Sequence, residues 1–199
     1  HILEVNSKTG LYPLYIAYSL YMRRKRDIRE TAYTIELDNK LWNETVNENV
    51  FVICKTPMAK QITKRTLIGY RDSYVNAHYF DNLVGMMKNK PELFTSKVLK
   101  PNYWKKEGSF MKFDAVVGNP PYQLQYSDGS GCATPLYNYF IEQSKVIDSK
   151  YLSMIIPARW YTGGKALDTF RNEMINDDSI MKLVDYGNSQ DVFSGVDIA

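Results

Sequence analysis

Histidine and cysteine are scarce in this chain of 199 residues, which holds only His1, His78, Cys54 and Cys132. The two cysteines stand alone, without the paired spacing of a zinc or redox motif, and read as reduced thiols. With so few nitrogen and sulfur ligands, a metal site is not expected. Long apolar runs are missing as well: no stretch approaches the roughly 20 residues of a membrane span, and no basic-then-apolar leader precedes a small-residue cleavage site. The expectation is a cytoplasmic chain with no membrane partner. A hydrophobic content of 44% argues against disorder, and 199 residues suit one well-cored domain.

Basic residues are unevenly spread. The net charge is only +3, but Arg23, Arg24, Lys25 and Arg26 form one run, and Lys55, Lys60, Lys64, Arg65 and Arg71 form another with no acid between them. A third group, Lys97, Lys100, Lys105, Lys106 and Lys112, leads into an apolar stretch, while the last thirty or so residues lean acidic. One basic side is what contact with phosphates requires. Ordinary solvated helix faces look the same, and charge alone favours that plainer reading.

What the chain does have is centred on Phe113-Asp114-Ala115-Val116-Val117-Gly118-Asn119-Pro120-Pro121-Tyr122. Ala115, Val116 and Val117 make a short apolar run of the kind buried on both faces of a parallel sheet. Two prolines then end the strand, since each fixes its own φ, lacks an N–H and restricts the residue before it. The product is a stiff loop at the carboxyl end of a strand, where open α/β sheets place their ligands. In it, the Asn119 side chain and the Pro120 carbonyl offer two fixed acceptors, held by the Pro121 ring, for an amine with two N–H groups. Tyr122 adds a flat face of the kind that holds a base swung out of its stack.

On these residues the chain resembles the amino-methyltransferases that carry an Asn/Asp-Pro-Pro-Tyr/Phe motif. It is most similar to the N6-adenine DNA methyltransferases of type II restriction-modification systems in which methylase and nuclease share one chain. The resemblance implies a Rossmann-like α/β core, a mostly parallel sheet with helices on both faces, and S-adenosylmethionine as methyl donor. It also implies Asn119, Pro120, Pro121 and Tyr122 as the catalytic loop, with the target adenine flipped out of double-stranded DNA. The cofactor-side loop precedes that motif, which is the order of the gamma class. Related enzymes methylate RNA adenine or a glutamine amide with the same tetrapeptide. A further alternative is a module that has lost the donor and only grips DNA.

Along the chain, Ile2 to Val5 reads as the first strand, Asn6 to Gly10 as its loop, and Leu11 to Met22 as a helix. The resemblance places this loop against the cofactor. Glu4 would hold its cationic amino-acid end, Gly10 would let the backbone approach closely, and Asn6 and Lys8 would lie beside them. A helix from Asp38 to Glu48, with Leu41 and Trp42 inward, precedes a second strand, Val50 to Cys54. That strand ends in Lys55 rather than the acid that usually binds the ribose. Thr56-Pro57 opens a helix to Leu67, stopped by Gly69. A short helix is expected over 81–88 and a brief strand over 97–99, after which the resemblance makes Asn102 a contact to the cofactor's adenine.

Residues 123–133, rich in Ser, Gly and Asp, read as a loop. Thr134 and Pro135 suit the N-cap and first turn of the next helix, and the resemblance puts Tyr137 beside the cofactor. Tyr151 to Ile156 is a strand ended by Pro157. The block Pro157-Ala158-Arg159-Trp160, followed by Gly163-Gly164-Lys165 and Phe170-Arg171, extends the likeness to the restriction-modification methylases. A helix over 165–174 and a strand over 180–186 complete the pattern. Because the resembled fold needs one further strand and a target-recognition domain, residues 1–199 are expected to be a catalytic core from a longer chain. Target-recognition and nuclease domains would lie elsewhere in that chain.

Overall fold

Short runs of β-branched and aromatic residues pair in parallel through the centre of the molecule. In this computed structural model, which describes residues 1–28, 33–124 and 134–193, the strands are β1 (Ile2–Ser7), β2 (Val50–Cys54), β3 (Asn76–Tyr79), β4 (Ala115–Gly118), β5 (Gln123–Leu124), β6 (Thr134–Pro135) and β7 (Tyr151–Met154). Five of them form one parallel sheet in the order β3-β2-β1-β4-β7. The described helices are α1 (Leu11–Arg26), α2 (Ile35–Asn49), α3 (Pro57–Ile68), α4 (Leu83–Asn89), α5 (Pro91–Val98), α6 (Tyr137–Val146) and α7 (Asp168–Ile175). The architecture is the expected Rossmann-like α/β fold.

Alternation along β2 shows how the two faces are covered. Phe51 and Ile53 pack with Leu3, Val5 and Val116 under side chains of α4, α5 and α6, including Leu83, Phe94 and Phe140. Val50, Val52 and Cys54 face the other way, toward Ala17 of α1, Val46 of α2 and Leu67 of α3. Each such side chain contributes about 1.5–3 kcal/mol on burial, so a strand buried on both faces reads as an unbroken apolar run. Burial also pushes the Cys54 thiol up to about 11, leaving it protonated at neutral pH. Cys132 lies outside the described residues.

The chain divides into two compact units, His1–Pro121 with Tyr139–Ile155, and Tyr122–Asn138 with the residues from Ile156 on. The first holds the five-stranded sheet. In the second, β5 and β6 pair antiparallel, and Tyr137 and Trp160 each meet Phe170 edge-on, with ring centres 6.0 and 6.2 Å apart. No described helix is long and apolar enough to cross a membrane.

Three expectations are corrected. The strand over 97–99 is instead the end of α5: Pro91 opens that helix, and the Trp104 indole N–H donates to the Val98 carbonyl at 2.7 Å, taking up a helix-end acceptor. The third strand is β3, a four-residue element whose mixed Asn-Ala-His-Tyr pattern carries little apolar signal. Thr134 and Pro135 do not open α6 but bridge β5, with the Leu136 N–H donating to the Tyr122 carbonyl at 3.1 Å. Residues 180–186 form no strand; among the described residues none pairs with them, and Met181, Leu183 and Val184 are exposed. An apolar alternation supplies a face, but a strand also needs a neighbouring edge. Of the expected loop over 123–133, residues 125–133 lie outside the described residues.

Candidate active site

Strand order reverses at β1. The chain runs outward through β2 to β3, then returns to lay β4 on the opposite side of β1. Such a switch point leaves a crevice beyond the carboxyl ends of the two strands. Here those ends are the Asn6 loop and the Asn119 loop.

β1 carries an irregularity between Val5 and Ser7, where Asn6 adopts a left-handed φ of 74°. Asparagine is one of the few non-glycine residues that accept this conformation readily. The kink lets the Asn6 amide Nδ2 donate to the Asn119 backbone carbonyl at 3.0 Å. The two loops are thereby tied across 113 residues of sequence. On the other side, the Lys55 N–H donates to the Ser7 carbonyl at 2.8 Å, and Thr66 Oγ1 donates to the Thr9 carbonyl at 2.8 Å.

Gly10 caps α1 with φ 78°, and a Cβ placed there would lie 2.9 Å from the Thr63 Cα. Close packing on α3 is therefore a reason for this glycine in addition to any approach of a ligand. Because the obstacle is backbone, Gly10→Ala is expected to cost about 2 kcal/mol through the positive φ and the overlap together. Urea unfolding of the two proteins measures it.

A cavity of about 120 Å³ opens in the crevice and brings together Glu4, Asn6, Lys8, Gly10 and Asn119, all of them expected from the sequence. Ser7 and Thr9, from the same expected loop, also line it; Leu11 and Tyr12 complete its wall and were not foreseen. No local pattern marks the first turn of α1 as lying over the end of β1. Glu4 is 4% exposed, and its Oε2 has no hydrogen-bond partner among the described residues. Burial pushes its carboxyl up to about 7. Burial, and then the nearby Glu4, also raise the Tyr12 hydroxyl, which interacts with the Asn119 side chain.

A buried carboxyl with an idle oxygen fits a cationic amine, and the exposed Lys8 beside it fits a carboxylate. The residues present thus suit the amino-acid end of S-adenosylmethionine. The volume is below the roughly 300–1,000 Å³ of whole-ligand sites, so this wall accommodates one end of such a molecule.

In the motif itself Pro120 is buried, while Asn119, Pro121 and Tyr122 are half-buried. The boundary between the two units falls between Pro121 and Tyr122. Asn102 is exposed on a 3-10 turn, Pro101–Trp104, and lines neither this cavity nor the larger one at the end of β3. With β3 at 76–79, the acid that follows the third strand is Asp81, which does line that larger cavity. Tyr137 is buried against Phe170, and burial pushes its hydroxyl up to about 12. It too lines neither cavity, so its observed surroundings are those of a core residue.

A family profile described as Eco57I restriction-modification methylase matches residues 48–193. The matched stretch includes the Asn119 to Tyr122 motif and leaves β1 and its loop outside. A Mycoplasma pneumoniae protein described as "Uncharacterized adenine-specific methylase" is 35% identical over 96 residues, which cover 46% of this chain. That alignment spans 22% of the relative's own length.

Proposed function

Because the chain belongs to the Eco57I restriction-modification methylase family, we propose that it is the catalytic core of a site-specific DNA methyltransferase acting on the N6 amine of adenine. The adenine specificity named for the Mycoplasma pneumoniae relative supports the choice of base. The observation that carries the reading is the hydrogen bond from Asn6 to the Asn119 carbonyl. It ties the loop that follows Glu4, whose Oε2 is idle, to a stiff acceptor loop beside the same crevice.

S-adenosylmethionine, when bound, supplies an electrophilic methyl group on a sulfonium. Glu4 holds its ammonium, Lys8 takes its carboxylate, and Asn6 and Gly10 shape the loop around it. Asn119 Oδ1 and the Pro120 carbonyl accept the two N–H groups of a flipped-out adenine, and Tyr122 stacks on its ring. The paired acceptors aim the nitrogen lone pair at the reacting carbon, so orientation and electrostatics supply the acceleration, and the proton that the methylated nitrogen must lose passes along these acceptors to water without a separate general base. Double-stranded DNA is the partner, and we place target recognition and any nuclease in polypeptide outside these residues.

The test is transfer of labelled methyl from S-adenosylmethionine by the intact protein that contains this chain, offered double-stranded DNA, RNA and protein. N6-methyladenine in the DNA digest is the expected product. Label on RNA or on glutamine would move the acceptor. No donor binding at all would leave a DNA-gripping module, the reading that Lys8 and Lys55 favour. Asn6 is a positioning residue in this scheme. Asn6→Gly keeps the left-handed turn but loses the bridge to Asn119, so kcat should fall about tenfold while the melting temperature drops by only about 2–4 °C.

A further inference from the structure

The Asn119 side chain has two unlike ends. Its amide carries an acceptor, Oδ1, and a pair of donors on Nδ2, and only the acceptor can receive an N–H of a substrate amine. The loop itself does not settle which end faces outward. An asparagine ordinarily turns its side-chain oxygen onto a backbone N–H two residues on, but here the next two residues are Pro120 and Pro121, which have none. The Asn6 bridge does not settle it either, because Asn6 holds only the Asn119 main-chain carbonyl.

Tyr12 is placed to do so. It lies in the first turn of α1 and lines the same cavity as Glu4 and Asn119. The ring is 41% exposed, so this tyrosine is no part of the packed core. Its hydroxyl hydrogen-bonds the Asn119 side chain. Burial and then Glu4 raise that hydroxyl above its ordinary value, so it stays protonated at neutral pH, while the Asn119 contact by itself lowers it. An amide N–H donating to the phenol oxygen acts in that sense, since it favours the ionised form. An amide carbonyl accepting the phenol proton would act in the other.

We propose that Tyr12 is the positioning residue that fixes the Asn119 amide: Nδ2 donates to the Tyr12 hydroxyl oxygen, and Oδ1 is thereby turned to the crevice to meet the substrate amine. Asn6 then sets where the acceptor loop lies, and Tyr12 sets which end of its amide the substrate meets. This role has meaning only where Asn119 Oδ1 accepts from the amine, so it rests on the methyl-transfer reading.

Single-turnover transfer to DNA by the intact protein tests it, with Tyr12→Phe made in the parent and in Asn119→Asp and Asn119→Ala backgrounds. A carboxylate has no wrong end, and alanine has no amide to turn. Tyr12→Phe should slow transfer about tenfold in the parent, the upper scale of one neutral hydrogen bond, and less than about twofold in either background. Donor affinity by calorimetry should stay within about twofold of the parent, and the melting temperature should fall by no more than about 2–4 °C. Transfer by Tyr12→Phe at the parent rate overturns the proposal, and so does equal slowing in all three backgrounds, which is what a merely structural role would produce. Both results leave the methyl-transfer reading standing. A parent that methylates no adenine overturns that reading and this proposal with it, so the two failures are distinguishable.

Discussion

Asn119→Ala is expected to reduce methyl transfer to adenine by about 10³-fold or more, the scale of losing one preorganised polar group at a reacting centre. The backbone explains why the loss should be local. Asn6 holds Asn119 through its main-chain carbonyl, which alanine keeps, and Pro120 and Pro121 hold the turn regardless of the side chain. Only the acceptor proposed for the substrate amine and the interaction with Tyr12 disappear. Donor affinity should weaken only modestly, since Glu4 and Lys8 remain in place on the cavity wall. Asn119→Asp, which still presents an acceptor oxygen, should recover part of the rate. Single-turnover transfer beside calorimetric donor titration separates the two quantities. A variant with alanine here that still methylates at the parent rate would sink the two-acceptor mechanism.

Glu4→Gln should move stability and binding in opposite directions. The native carboxyl is raised from its ordinary 4.5 to about 7 by burial, so between those values the folded protein binds more protons than the unfolded chain. Stability from this group is therefore full below about 4.5, falls as pH rises toward 7, and stays low above it. The span corresponds to about 3 kcal/mol as an upper figure. Glutamine never ionises, so the variant should be more stable than the parent at pH 8, with the difference shrinking toward pH 5. The same change removes the charge proposed to hold the donor's ammonium, and affinity should fall about tenfold or more. Parent affinity should also weaken as pH drops below about 7, where Glu4 takes up a proton. Urea melts of both proteins at pH 5 to 8 decide the matter: equal stability across that range would mean that Glu4 is ionised without penalty in the fold.

Such a trade of stability for a charged site is common where a cavity is built for a ligand, and it marks where sequence and structure part company. Asn119 could be singled out from local pattern, standing before two prolines, whereas Glu4 was reached through the family resemblance. Tyr12 could not, because nothing within its own helix says that the first turn leans over β1. Gly10 was foreseen for one reason and found to have another, since Thr63, against which it packs, is more than fifty residues away. Asn102 was linked to a strand that is a helix, and with β3 in its observed place the cavity-lining acid is Asp81.

By itself, the sequence determined the elements with strong short-range signals: the apolar strands at 50–54 and 115–118, the Thr56-Pro57 start of α3, and the stiff Asn-Pro-Pro-Tyr turn. Those signals act over a few residues, through proline's fixed φ, side-chain caps and unbroken apolar runs. Only the tertiary structure decided the order β3-β2-β1-β4-β7, the meeting of Asn6 with Asn119, and which polar atoms of Glu4, His78 and Tyr103 are left idle. The reason is physical. Strand neighbours and lost water are set by groups scores of residues apart, and a carboxyl acquires a shifted proton affinity only when the rest of the chain has closed around it.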